Sequence, residues 1–178
     1  MTRADLFGRV FRNLDGIAGF NGTADEPIAG ALVQVGGRNV TTDANGLYTA
    51  TQLAAGAYSI SGSANGYNPA TVGAVLRAGA TVEQDLTLTP VPSDVAIEFR
   101  DEGQGVAGIP IRLEGPVTRT VTTNSTGMAS TSLEPGHYSA VIDYSFENEA
   151  GLEVTYKQTN GVDVAFGGED QVFVIDAT

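Results

Sequence analysis

The sequence predicts an all-β chain made of two β-sandwiches in tandem, and three observations carry that expectation. Short runs alternate in character, with Leu6, Gly8 and Val10 on one face and Phe7, Arg9 and Phe11 on the other. Glycine, proline, asparagine and aspartate cluster between such runs at intervals of about eight to twelve residues, and no window sustains a helical period. The string at residues 40–60, VTTDANGLYTATQLAAGAYSI, returns in outline at 121–140 as VTTNSTGMASTSLEPGHYSA. A repeat that preserves turn and core positions together means one module present twice. The predicted modules are residues 1–90 and 91–178.

In chain order, the first strand covers 6–12 and runs into a polar, glycine-rich stretch at 13–26 (NLDGIAGFNGTADE), too irregular for a strand. Residues 31–35 follow, with Ala31, Val33 and Val35 on one face, and Gly36 and Gly37 break the run. A strand through 38–42 opens the repeated unit; its tight turn is DANG at 43–46, and Leu47 and Tyr48 begin the next strand. A hinge at 53–56 (LAAG) launches Tyr58 and Ile60. After the NGYNP turn at 65–69, strands are expected at 72–76 and 82–88. Pro90 and Pro92 favour an extended, semi-rigid spacer between the modules. The second module repeats the order: Val95, Ile97 and Phe99, then Ile109, Ile111 and Leu113, then the hairpin and hinge. A long strand lined by Tyr138, Ala140, Ile142, Tyr144 and Phe146 turns at 147–151, and strands near 152–157, 162–166 and 171–175 complete the sheets.

Composition narrows function before any motif does. The formal charge is −12 and the sequence pI about 4.2, which argues against nucleic acid and anionic membranes as partners. There is no cysteine, so disulfides and thiolate metal sites are excluded. Of nine basic residues only Lys157 is lysine, which reads as a bias of coding or habitat. No signal-peptide pattern or membrane-length apolar stretch is present, which fits a protein assembled in the cytoplasm or one whose leader has been removed.

The strings GRV (8–10), PIAGALVQV (27–35), TDANGLY (42–48), LAAGAY (53–58) and GY (66–67) resemble the carboxypeptidase regulatory-like and Cna-B-type modules. The resemblance implies an immunoglobulin-like sandwich of the transthyretin (prealbumin) kind. The second module departs from the pattern: Asn124 replaces the turn aspartate, Ala129 replaces the tyrosine, and no closing Gly-Tyr is found. The pattern residues have structural readings. Asp43 or Asn124 caps its own turn, and Gly46 or Gly127 supplies φ > 0. Gly56 and Gly136 sit at the hinges, while Tyr48, Tyr58 and Tyr138 bury large rings whose hydroxyls reach backbone groups.

Chemistry implied by relatives of the fold finds no residues here. A Lys–Asn isopeptide bond cannot form in the first module, which has no lysine, and Lys157 falls late in the second. Hydrolases and dioxygenases of this fold need several histidines, whereas His137 stands alone beside the core-facing Tyr138. Paired carboxylates at Asp25 and Glu26, or Glu147 and Glu149, read as solvated turns. No catalytic residue and no cofactor are therefore expected. Calcium is the one metal the oxygen donors would suit, at 43–46 or among Asp15, Asn21, Asp25 and Glu26, but no recognised ligand spacing occurs. Glycan platforms of the fold favour tryptophan, which is absent. Sequons at Asn21, Asn39 and Asn124 are no more than a Ser/Thr-rich chain yields by chance.

What remains is apolar surface where a sandwich should meet water. Phe7 and Phe11 oppose the inward phase of Val10, Val172 and Val174 oppose Phe173 and Ile175, and Ile17 and Phe20 sit in the longest loop. Such residues cover a local core, join the two modules or contact another chain. The expected function is a non-catalytic structural or interaction protein on the exterior of a larger assembly. A virion head or tail decoration protein is the first reading. A prokaryotic cell-surface or adhesin module is the alternative, and a calcium- or glycan-binding module a third. Expected partners are proteins of a capsid, tail or surface layer, or further copies in a homo-oligomer, with the 13–26 loop and Phe20 as the contact; no nucleic acid or membrane insertion is expected.

Overall fold

A computed structural model describes residues 3–147 and 150–177, without the side chains of Phe146 and Glu147. The chain divides into two compact units, Met1–Pro90 and Val91–Thr178. Of the expected acidic turn at 147–151, Glu149 and the Glu147 side chain lie outside the described residues, as does the side chain of Phe146.

In the first unit the strands are β1 (Ala4–Asn13), β2 (Asp25–Pro27), β3 (Leu32–Val35), β4 (Arg38–Thr41), β5 (Leu47–Leu53), β6 (Gly56–Ser63), β7 (Tyr67–Asn68), β8 (Ala70–Leu76), β9 (Thr81–Glu83), β10 (Leu86–Thr87) and β11 (Thr89–Pro90). One sheet is centred on β1, which pairs antiparallel with β5 and β2 and parallel with β9 and β10. The facing sheet runs β4-β3-β6-β8, and β7 pairs with β11. Leu6, Val10, Val33, Val35, Ile60, Leu76, Leu86 and Leu88 fill the space between the sheets. The two-residue period selects this core, because alternate side chains on each strand point inward.

The second unit contains β12 (Ser93–Asp101), β13 (Gln104–Gly105), β14 (Pro110–Glu114), β15 (Arg119–Thr122), β16 (Met128–Leu133), β17 (Gly136–Glu147), β18 (Glu153–Val164) and β19 (Gln171–Asp176). Here β12 is central, antiparallel to β16 and β13 and parallel to β19, opposite the sheet β15-β14-β17-β18. The strand order repeats that of the first unit. Its core is Val95, Ile97, Phe99, Ile111, Leu113, Leu133, Tyr138, Ile142, Val162 and Ile175.

The strands expected separately near 152–157 and 162–166 form one, β18, because the long β17 pairs with it without a break from Glu153 to Val164. Three other local differences from the alternation pattern have physical causes. The strand expected at 82–88 is broken into β9 and β10, because the Asp85 carboxylate accepts the Arg9 N–H (2.7 Å) in place of a backbone carbonyl. The 13–26 segment gains a 3-10 turn at Gly22–Ala24 and the short strand β2. Phe11, expected on the outward face with Phe7, is buried at 1% exposure, because a later segment folds over it. Among the described residues no helix is long and apolar enough to cross a membrane.

Candidate functional site

The residues that the repeat marks build one hydrogen-bonded corner in each unit. Asp43 Oδ1 accepts the N–H groups of Asn45 (2.8 Å) and Leu47 (2.9 Å), and Asn124 Oδ1 accepts those of Thr126 (2.9 Å) and Met128 (3.1 Å). Either side chain serves, since both present a carbonyl-type acceptor at the same reach. Gly46 and Gly127 close the turns at φ +72° and +80°, where a Cβ would stand 2.5 Å from Val10 O and from Gly105 Cα respectively.

The buried Thr42 and Thr123 were not singled out by sequence reasoning, although each precedes a marked turn residue. Thr42 Oγ1 accepts the Ala31 N–H (2.8 Å) and donates to Ile28 O (2.7 Å). Thr123 Oγ1 does the same with the Ile109 N–H (2.8 Å) and Val106 O (2.6 Å). Each hydroxyl ties the turn to the segment around the Gly30-Ala31 or Gly108-Ile109 step. The available signal was the shared Val-Thr-Thr string, in which the valine and the second threonine face inward and the first threonine is exposed.

The tyrosines divide the same labour. Tyr138 is fully buried and donates to Glu134 O (3.0 Å), while Tyr58 donates to Ala54 O (3.0 Å) from a half-buried position over Gly36. Gly56 and Gly136 begin these strands at φ +157° and +148°. Tyr48 is buried against Gly8, pairs with it across the sheet, and donates to Gln84 O (2.5 Å). Burial, and next the Asp85 carboxylate, push its hydroxyl up to about 12. Gly8 is required because a Cβ there would lie 1.9 Å from Gln84 O. In the second unit the equivalent cross-strand pair is Ile97 with Ala129. The large side chain has changed strands, which explains how that unit dispenses with the tyrosine.

The apolar candidates separate into two groups. Phe20 is half-buried, with its ring edge-on to Phe11 (centroids 5.5 Å apart) and the Arg9 guanidinium 3.9 Å above it. The 13–26 loop thus folds back onto the outer face of its own sheet. Phe7 is half-buried, while Ile17 is 61% exposed. Val172 and Val174 remain open at 66% and 47% exposure on the outer face of β19.

The polar candidates do not assemble chemistry. Buried Asp25 accepts the N–H groups of Leu14 and Asn21 (3.1 Å each), and Asp15 accepts the Ile17 N–H (2.9 Å) and the Asn21 side-chain amide. Glu26 lies 3.9 Å from the buried Arg12. The Asp15 and Asp25 acceptors order the loop, and among the described residues no three His, Asp or Glu side chains form a metal-binding group. Lys157 forms an exposed pair with Asp143 (3.0 Å) across β17 and β18, far from the buried setting an isopeptide bond requires. His137 Nδ1 lies 2.7 Å from Asp163 Oδ1 on an exposed surface.

Residues 21–89 match the carboxypeptidase regulatory-like domain family. Among solved structures, the chain is similar to the Bacillus anthracis TIE protein, with TM-score 0.57 and 16% identity over 99% of this chain and 34% of that one. It is also similar to a streptococcal ancillary pilin (TM-score 0.42, 14% identity, 100% and 63% coverage). The major pilin subunit of Bacillus cereus follows at TM-score 0.40 and 10% identity, with 99% of both chains covered. No curated protein matches. The chain spans about a third of the length of the Bacillus anthracis chain, and that likeness shows the fold: tandem immunoglobulin-like sandwiches of the transthyretin kind.

Proposed function

We propose that the chain is a non-catalytic interaction module of a bacterial cell-surface assembly, two sandwiches serving as a scaffold that presents a sheet face to a protein partner. The observation that carries this reading is the open aliphatic pair Val172 and Val174 on a well-formed outer sheet. The polar residues that could have been chemical are engaged in turns, loop order or exposed ion pairs. Support for a surface location comes from the resemblance of the sequence to Cna-B-type modules, and the likeness to a longer bacterial chain, of which this one covers about a third, supports the fold such a module needs. The first reading of the sequence, a virion head or tail decoration protein, has no such support and gives way to the surface or adhesin module that was its alternative.

The test is labelling of intact source cells with an antibody raised against the folded chain. Labelling without permeabilisation is expected. Signal that appears only after the envelope is opened would overturn the surface assignment.

A further inference from the structure

The outer face of the β16-β12-β19 sheet differs from its counterpart in the first unit. There, Arg9 on the outer face of β1 carries Phe20, brought by the long 13–26 loop. In the second unit the connection after β12 is a tight turn leading directly into β13, and Val172 and Val174 on this face stay 66% and 47% exposed among the described residues. Glu98 stands at the position of Arg9 and pairs with Arg100 (2.7 Å), and Ala96 stands at the position of Phe7. The floor is correspondingly low: Ala96, Ser130 and Ser132 line a groove of about 530 Å³ bordered by Val172, Asp94 and Asp170. Val172 pairs with Ala96 and Val174 with Glu98, so the two valines stand as a ridge beside the groove.

β19 is also an edge strand. Among the described residues it pairs with β12 on one side and with no strand on the other. Its sequence is an unbroken β-branched and aromatic run, Val172 to Ile175, held between Glu169 and Asp170 at one end and Asp176 at the other. An edge of this composition templates an added strand unless something prevents it. A second copy of the chain would bring these carboxylates against their own equivalents, in a protein of net charge −12. The charges that repel a copy attract a segment with lysine or arginine at the matching positions.

Resting on the surface-module reading, we propose that β19 is the docking edge and that its occupant is an extended segment of another protein, aliphatic at alternate positions and flanked by basic residues. Added beside β19, such a segment lays its aliphatic side chains against Val172 and Val174. Its basic ends meet Asp170 and Asp176.

The probes are three labelled synthetic peptides of equal length titrated into the full chain by fluorescence anisotropy: a valine–threonine alternation with lysines at both ends (valine–lysine), the same core with glutamates at both ends (valine–glutamate), and a serine core with lysines at both ends (serine–lysine). The valine–lysine peptide is expected to bind and to protect from hydrogen exchange the amides of Val172 and Val174, which face away from β12. The V172S/V174S variant, altered only at exposed positions, should weaken it by about tenfold or more, roughly the loss expected when two aliphatic contacts are removed. Equal binding of the serine–lysine peptide would overturn the proposal, as would binding indifferent to V172S/V174S, or no binding. Self-association of the chain abolished by V172S/V174S would overturn it in favour of a second copy. Antibody labelling of cells is independent of all these outcomes, so failure of the docking edge and failure of the surface assignment are told apart.

Discussion

Replacing Thr42 by valine keeps the side-chain shape and removes one hydroxyl, which isolates the corner that both units share. In the folded chain that hydroxyl holds the Ala31 N–H at 2.8 Å and Ile28 O at 2.7 Å, in a side chain with 6% exposure. Each buried backbone group left without a partner costs about 1–3 kcal/mol, and the methyl that replaces the hydroxyl returns about 1 kcal/mol of burial. The expected net loss for Thr42→Val is about 1–5 kcal/mol. Thr123→Val should cost a similar amount, since Thr123 holds the Ile109 N–H and Val106 O in the same geometry. Thr41→Val, one residue earlier and exposed, should change stability by less than about 0.5 kcal/mol. Urea unfolding followed by circular dichroism reads all three. The Thr42 change should move only the transition of the first unit and the Thr123 change only that of the second. A loss below about 1 kcal/mol for either buried threonine would refute the argument that these hydroxyls fasten the corner.

Two further outcomes follow from the first unit. Tyr48 has a folded pKa of about 12, raised above the unfolded value near 10, so the folded state retains the proton. Its contribution is intact below about pH 10 and is lost as pH rises towards about 12, a loss of about 1–2 kcal/mol after allowance for solvent screening at the sheet end. Tyr48→Phe should be less stable at neutral pH by about 1 kcal/mol and lack this alkaline loss, and an alkaline melting profile matching the parent would contradict it. Phe20→Ala removes the ring between Arg9 and Phe11 and should lower the stability of the first unit by about 1–2 kcal/mol. An unchanged melting temperature would mean that the loop is not fastened by this ring.

The parts of the fold legible in the sequence are those set by local chemistry. Asp43 with Gly46 and Asn124 with Gly127 announce turns because their acceptors and φ > 0 glycines act within four residues. The exposed Val172 and Val174 were legible because both faces of β19 are apolar and only one can meet the core. The illegible parts depend on segments distant in the chain. Alternation on β1 alone places Phe11 outward, and only the return of Phe20 buries it. The break between β9 and β10 required knowing that the Asp85 side chain would reach the Arg9 N–H. The replacement of Tyr48 by Ala129 read as divergence until the register placed Gly8 and Ile97 opposite them. A small–large pair had become a large–small one, preserving volume between the same two strands.

The account holds that two complete sandwiches, each with its own core and corner, make up the chain. Expressing residues 1–90 and 91–178 separately tests it most directly. Each piece is predicted to give a single cooperative thermal transition and the β circular dichroism of the corresponding part of the whole. If either piece remains unfolded alone yet folds when the other is added, the cores are shared and the account of two self-sufficient modules is contradicted.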